Sequence, residues 1–171
     1  MVIMIGEFIV ETCASRNDIA DIIGVQYTPC SSEYKIINSF RQEKYTRYFI
    51  EYDVPDDKVY AYLLIPDASG LRPAILIKHQ HNGERFLGKS EVCGLAGNPL
   101  QAFGPILAQK GFVVLAPDSI CFEDRRKNTK GIEPLPGDDD LTMGHSYGGN
   151  TALFLAALDE RIHFACASGS A

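Results

Sequence analysis

The chain has the size and composition of one ordinary globular domain. Its 171 residues are 46% hydrophobic and 22% charged, a profile that disfavours both intrinsic disorder and two full domains. The formal net charge of −6 argues against a nucleic-acid partner, because phosphate binding needs clustered lysine and arginine side chains. The five cysteines are scattered without paired spacing, so we expect free thiols, no metal site and no cofactor.

The first part of the chain, residues 1–44, is mixed in character and is interpreted as an N-terminal cap that precedes a domain at 45–171. Within it, residues 19–24 predict the end of a short helix and residues 27–32 a loop. The N-terminus lacks a basic signal region, and no segment approaches the roughly 18 apolar residues of a membrane span. We therefore expect a cytoplasmic protein without a membrane partner.

Two segments rich in aromatic and branched residues follow, at 45–52 and 59–65. Such composition is typical of β-strands, and Pro55 and Asp57 between the segments indicate a turn. The pair predicts an antiparallel hairpin at the start of the domain.

Three short and nearly uninterrupted apolar runs come next, at 74–77, 113–116 and 141–143. Uninterrupted runs are typical of strands that are buried on both faces, as in a parallel sheet covered by helices. A further strand is predicted at 164–168, and residues 150–158 predict an apolar helix before it. The sequence thus predicts a three-layer α/β fold with a mostly parallel sheet, truncated after about six strands. An unpaired sixth strand would leave an exposed edge and favour self-association.

A helix is predicted between the first two apolar runs, over residues 99–111. Leu100, Phe103, Ile106 and Leu107 fall on one face of this helix, and Gly111 supplies its C-terminal stop.

A nucleophile motif, Gly-x-Ser-x-Gly, occupies residues 144–148 between a predicted strand and the helix that follows. A sharp turn from strand to helix exposes the hydroxyl of Ser146, and it requires residues without a Cβ at Gly144 and Gly148. The backbone N–H of Tyr147 would then lie near the attacked carbonyl and serve as one oxyanion donor. The motif predicts that Ser146 attacks an acyl carbon.

Four segments in the same order, at 73–83, 107–118, 144–149 and 158–162, resemble the dienelactone hydrolase and acetyl xylan esterase-like branch of the α/β-hydrolases. The resemblance covers the chain from about Tyr45 onward and implies that fold. It also implies that His81, the third residue of a loop that begins at His79, donates a second backbone N–H to the oxyanion. Gln80 stands where the family usually has glycine. The alternative is that both histidines only satisfy a buried turn.

A further segment, at 117–126, resembles a family segment of the type Pro-Asp followed by Phe-Gly-Glu-Arg, which lines the floor near the site. Here no glycine is present and Asp124 is displaced by one residue, so we expect Asp118 and its neighbours to have a structural role.

The catalytic base and acid of the family are not matched. Residues 123–140 lack the period of the expected crossover helix, and His163 is the only histidine after Ser146. We rate His163 incidental, with Asp159 and Glu160 as turn residues at the wrong end of the sheet. The expectation is therefore a serine hydrolase of the carboxylic-ester type that is weak or inactive as given, acting on a small ester or related acyl compound. A prolyl oligopeptidase-like peptidase fragment and a non-catalytic truncated hydrolase fold are the alternatives.

Overall fold

The computed structural model describes a subset of the chain, which comprises residues 2–5, 8–11, 15–22, 24, 33–55, 57–81, 84–126, 147–159, 161–163 and 165. The predicted strand at 141–143 and the loop at 127–140 lie outside the described residues. So does most of the predicted strand at 164–168.

The N-terminal part contains a hairpin and a short helix. Strands β1 (Val2–Ile5) and β2 (Phe8–Glu11) pair antiparallel, and helix α1 (Arg16–Ile22) follows. Ser15 caps this helix reciprocally, because its hydroxyl accepts the Asp18 N–H while the Asp18 carboxylate accepts the Ser15 N–H. Helix α1 ends at Ile22, which confirms the helix end predicted at residues 19–24.

Five strands form the main sheet, in the order β3-β4-β5-β7-β6. Their bounds are β3 Lys35–Arg41, β4 Tyr45–Val54, β5 Asp57–Pro66, β6 Ala74–Leu76 and β7 Val113–Pro117. The predicted hairpin of β4 and β5 is confirmed, with Tyr52 opposite Val59. All seven residues of β3, at one end of the strand order, are exposed.

The prediction of a mostly parallel sheet is wrong for the described residues. Only β6 and β7 pair parallel, whereas β3 with β4, β4 with β5, and β5 with β7 all pair antiparallel. The physical reason is that an apolar run does not fix the direction of a strand. It does not fix burial either, since the run at 74–77 was expected to be buried on both faces, whereas Ala74 and Leu76 of β6 are exposed. The tight turn after Val54 fixes the direction of β5, and β3 extends the same antiparallel arrangement.

The helices of the middle segment cover one face of this sheet. Helix α2 (Lys89–Val92) and helix α3 (Phe103–Gln109) pack their Val92 and Ala108 against Leu64, Val114 and Ala116 in the hydrophobic core.

Helix α3 confirms the helix predicted between the apolar runs, with a 3₁₀ turn at Pro99–Gln101 before it. Gly111, at φ 94°, provides the left-handed stop. The helix buries Gly104 and Ala108, however, whereas Phe103 and Ile106 of the predicted apolar face are about half exposed.

The last described helix, α4 (Tyr147–Leu158), lies against α1, and the Arg16 side chain donates to the Ala157 carbonyl at 3.5 Å. It confirms the helix predicted after the nucleophile motif. None of the helices in the described ranges combines the length and apolar character needed to cross a lipid bilayer.

Candidate active site

Two loops meet at the carboxyl ends of β6 and β7. Because these strands are parallel neighbours, the loop at 77–81 after β6 and the loop at 118–126 after β7 leave the same edge of the sheet. The N–H of Ile77 donates to the Leu115 carbonyl at 2.9 Å, so pairing continues past the end of β6. This edge is where ligands bind in open α/β sheets.

His79 joins the two loops. Its ring is 1% exposed, its Nε2 accepts the N–H of Ser119 at 3.0 Å, and its Nδ1 lies 2.9 Å from the Gln80 carbonyl. Burial lowers the pKa of His79 to about 4, so the ring is neutral at physiological pH. A neutral ring with its proton on Nδ1 satisfies both contacts at once. His79 therefore satisfies a buried turn, the structural role that was the alternative predicted from the sequence.

His81, the predicted oxyanion donor, lies beside Phe122. The two ring centroids are 5.3 Å apart in an edge-to-face arrangement, and the ring of His79 lies 4.8 Å from the same phenyl group. Burial, together with the charge of Arg85, lowers the pKa of His81. The structure thus brings His79, His81 and Phe122 together, and the oxyanion role of the His81 N–H stays a prediction.

Ser146 and Gly144 lie outside the described residues, so the turn that presents the nucleophile stays a prediction. The neighbouring residues Tyr147 and Gly148 are the first two residues of α4, which begins immediately after Ser146. A helix that begins there is one part of a strand-to-helix turn, and the predicted strand at 141–143 lies outside the described residues.

The downstream groups at the far end of α4 have other contacts. Asp159 accepts hydrogen bonds from the Arg161 side chain, which lowers the pKa of Asp159 to about 2. His163 is exposed. These contacts agree with the expectation that Asp159 is a turn residue and His163 incidental, whereas Glu160 lies outside the described residues.

A buried ammonium group is the feature of this region that the sequence did not predict. The side chains of Lys89 and Asp118 have no exposed surface, and the Lys89 Nζ lies 2.6 Å from an Asp118 oxygen and 2.8 Å from a Glu123 oxygen. Asp124, which is half exposed, also accepts from the Nζ. We call these four residues the Lys89 cluster. The rings of Phe49 and Tyr62 lie 5.4 and 5.6 Å from the ammonium group.

Backbone groups tie the cluster to the start of α2. Asp118 accepts the Lys89 N–H at 2.9 Å, and Glu123 accepts the N–H groups of Gly88 at 3.0 Å and Ser90 at 2.9 Å. The packing leaves no room for a side chain at Gly88, where a Cβ would lie 2.4 Å from an Asp118 oxygen. Glycine here permits the close approach of the two segments.

The electrostatics of the cluster follow from one ammonium group shared among three carboxylates. Burial by itself lowers the pKa of Lys89, but the charges of Asp118 and Glu123 outweigh burial and raise that pKa above its ordinary value. Burial and the charge of Glu123 raise the pKa of Asp118 to about 6, because Asp118 receives only a share of the Lys89 charge. Oxygen atoms of Asp118, Glu123 and Asp124 lie within 4.8 Å of one another, a set that would suit a hard cation. Lys89 already supplies the cation.

The structural role expected for Asp118 is confirmed by these contacts, whereas Lys89 carried no signal in the sequence. The residues next to a lysine in the sequence do not show whether its side chain is buried or exposed. The partners of Lys89 lie 29 to 35 residues away along the chain. In the sequence, the need for a cation is indicated only by Asp118 and the two carboxylates that follow it, Glu123 and Asp124.

Comparison with known proteins supports the architecture at the level of the fold. The chain is similar to a crystal structure at 2.30 Å of a Bacteroides fragilis protein provisionally assigned as an acetyl xylan esterase, with a TM-score of 0.50 and 19% sequence identity. The match covers 84% of this chain, which spans 36% of the length of that protein. No protein-family model and no curated protein matches the chain. The likeness is one of fold alone.

Proposed function

We propose that this chain carries the nucleophile-bearing part of a serine hydrolase that acts on small carboxylic esters. The observation that carries the proposal is the Gly-x-Ser-x-Gly motif at 144–148, whose last two residues, Tyr147 and Gly148, begin helix α4 directly after Ser146. The fold likeness to a protein provisionally assigned as an acetyl xylan esterase supports the same class of substrate.

In this reaction the Ser146 oxygen forms a bond to the acyl carbon, and the carbonyl electron pair moves onto the oxygen. The N–H groups of Tyr147 and His81 donate to that oxyanion. Collapse of the intermediate breaks the bond to the alcohol, which leaves with the proton from Ser146, and an acyl-enzyme remains for water to hydrolyse.

The proton needs a base, and His79 does not serve. Both of its ring nitrogens are engaged, and its pKa of about 4 makes protonation unfavourable at neutral pH. The oxyanion donors and substrate binding alone give an acceleration on the order of 10³ to 10⁴ over water. We therefore expect slow turnover for the chain as given.

A fluorophosphonate probe tests the nucleophile directly. We expect slow covalent labelling of the chain that is lost in Ser146→Ala and retained in the matched variant Ser69→Ala, which removes a hydroxyl from an exposed loop. Mass spectrometry of the labelled peptide identifies the modified residue. Absence of labelling in the parent chain would contradict the proposal and favour a non-catalytic fold.

A further inference from the structure

The turn after β7 holds two residues in an unfavourable backbone conformation. Cys121 and Glu123 have φ values of 67° and 43°, which lie in the left-handed region that residues with a Cβ rarely adopt. Phe122 stands between them. Such conformations persist only where surrounding contacts hold them, and they gather at functional sites.

The Lys89 cluster supplies such contacts at Glu123. The Glu123 carboxylate accepts from the Lys89 Nζ and from two N–H groups at the start of α2, while its own N–H donates to the Arg85 carbonyl at 2.8 Å. Asp118 accepts the Asp124 N–H at 3.2 Å, which closes the turn from its other end. The charges of the cluster thus fix the backbone at Glu123 and Asp124, directly after Phe122.

The turn presents one aromatic ring to the neighbouring loop. Phe122 is 3% exposed, and its ring contacts His79 at 4.8 Å and His81 at 5.3 Å between centroids. The Arg85 guanidinium lies over the same ring at 5.9 Å. A displacement of Phe122 would therefore reach the His81 loop directly.

We infer that the Lys89 cluster is a positioning device for the His81 loop, with Phe122 as the residue that transmits its effect. The cluster holds the turn at 121–123, the turn holds Phe122, and Phe122 packs against His81. The inference rests on the proposed function in one respect, that the N–H of His81 is the oxyanion donor. In this inference Phe122 and Glu123 act through His81 and are positioning residues.

The test follows His81 by NMR in the full chain, through the titration of its ring and the hydrogen exchange of its backbone N–H. In Phe122→Leu we expect the pKa of His81 to rise toward the ordinary value for histidine, because the ring loses apolar cover. We also expect exchange of the His81 N–H to quicken by about tenfold.

A second variant tests the cluster itself. Glu123→Gln places an amide group against the Lys89 ammonium, and we expect it to change His81 in the same direction as Phe122→Leu. Asp53→Asn, which alters an exposed carboxylate paired with Lys58, is the matched control. Unchanged titration and exchange of His81 in both Phe122→Leu and Glu123→Gln, with only a lower unfolding temperature, would overturn the inference and leave the cluster a stabilising element.

These NMR signals do not depend on a reactive serine, so the inference and the proposed function can fail separately. If the fluorophosphonate labels the parent chain, we expect its rate to fall at least tenfold in Phe122→Leu, because a misplaced donor stabilises the oxyanion less. A labelled chain whose rate is the same in Phe122→Leu would contradict the positioning role while leaving the nucleophile intact.

Discussion

Two lysines of this chain make ion pairs of nearly the same length in opposite surroundings. The Lys89 Nζ lies 2.6 Å from Asp118 with neither side chain exposed, whereas the Lys58 Nζ lies 2.8 Å from Asp53 with side chains that are 41% and 84% exposed. Water solvates the exposed partners equally well when they are apart, so that pair contributes little. The buried partners have no such alternative, and each depends on the other for solvation. Surroundings, and not distance, set the importance of an ion pair here.

The largest effect is expected when the buried pair is broken. Lys89→Met leaves Asp118 and Glu123 without their shared cation, and we expect the free energy of unfolding to fall by about 3–5 kcal/mol, the usual cost of an uncompensated buried charge. Chemical denaturation measures this difference. Partial recovery is expected in the double variant Lys89→Met with Glu123→Gln, since one of the stranded charges is then removed. A loss as large in the double variant as in the single one would contradict this account.

The same comparison explains which parts of the structure could be predicted from the sequence. Strands β4, β5, β6 and β7 were predicted within two residues of their ends, because a strand is a local pattern of aromatic and branched residues. Strand β3 was missed because its sequence does not alternate between apolar and polar residues. This agrees with the exposure of all seven of its residues. The direction of the strands depends on turns and partners outside each run.

The candidate site likewise has features that could be predicted from the sequence and features that could not. The helix after the motif is a local feature and was predicted, over residues 150–158, although α4 begins three residues earlier at Tyr147. The buried state of Lys89, in contrast, depends on Asp118 and Glu123 about 30 residues away. The pairing of His79 with Ser119 likewise depends on the parallel contact of two strands and not on either loop alone. The geometry of Ser146 relative to His81 stays a prediction.

An intermediate effect is expected from pH, and it sharpens the comparison because the two groups that produce it, Asp118 and His79, are buried. The pKa of Asp118 is about 6 in the folded state against 3.8 when unperturbed, so its contribution to stability is present below about pH 4 and is lost as the pH rises to about 6. The pKa of His79 is about 4 against 6.5, so its contribution is present above about pH 6.5 and is lost as the pH falls to about 4. Between about pH 4 and 6 the two groups therefore change the stability in opposite directions.

The two trends separate in single variants followed by denaturation between pH 4 and 7. We expect the stability of Asp118→Asn to rise with pH more steeply than that of the parent chain, because the contribution of His79 then stands alone. His79→Gln should show the opposite change, a stability that falls relative to the parent as the pH rises. Parallel profiles for all three proteins would mean that neither group titrates differently in the folded and unfolded states.

The smallest effect is expected at the exposed pair. Lys58→Met makes the same chemical change as Lys89→Met, but it leaves Asp53 in contact with water, which solvates its charge, and Glu51 keeps its ion pair with Lys35. We expect no measurable shift in the midpoint of denaturation, and added salt should only reduce any difference from the parent chain, because salt screens exposed charges. A loss comparable to that of Lys89→Met would show that pairing itself stabilises this chain, and burial would then no longer explain why the two lysines differ.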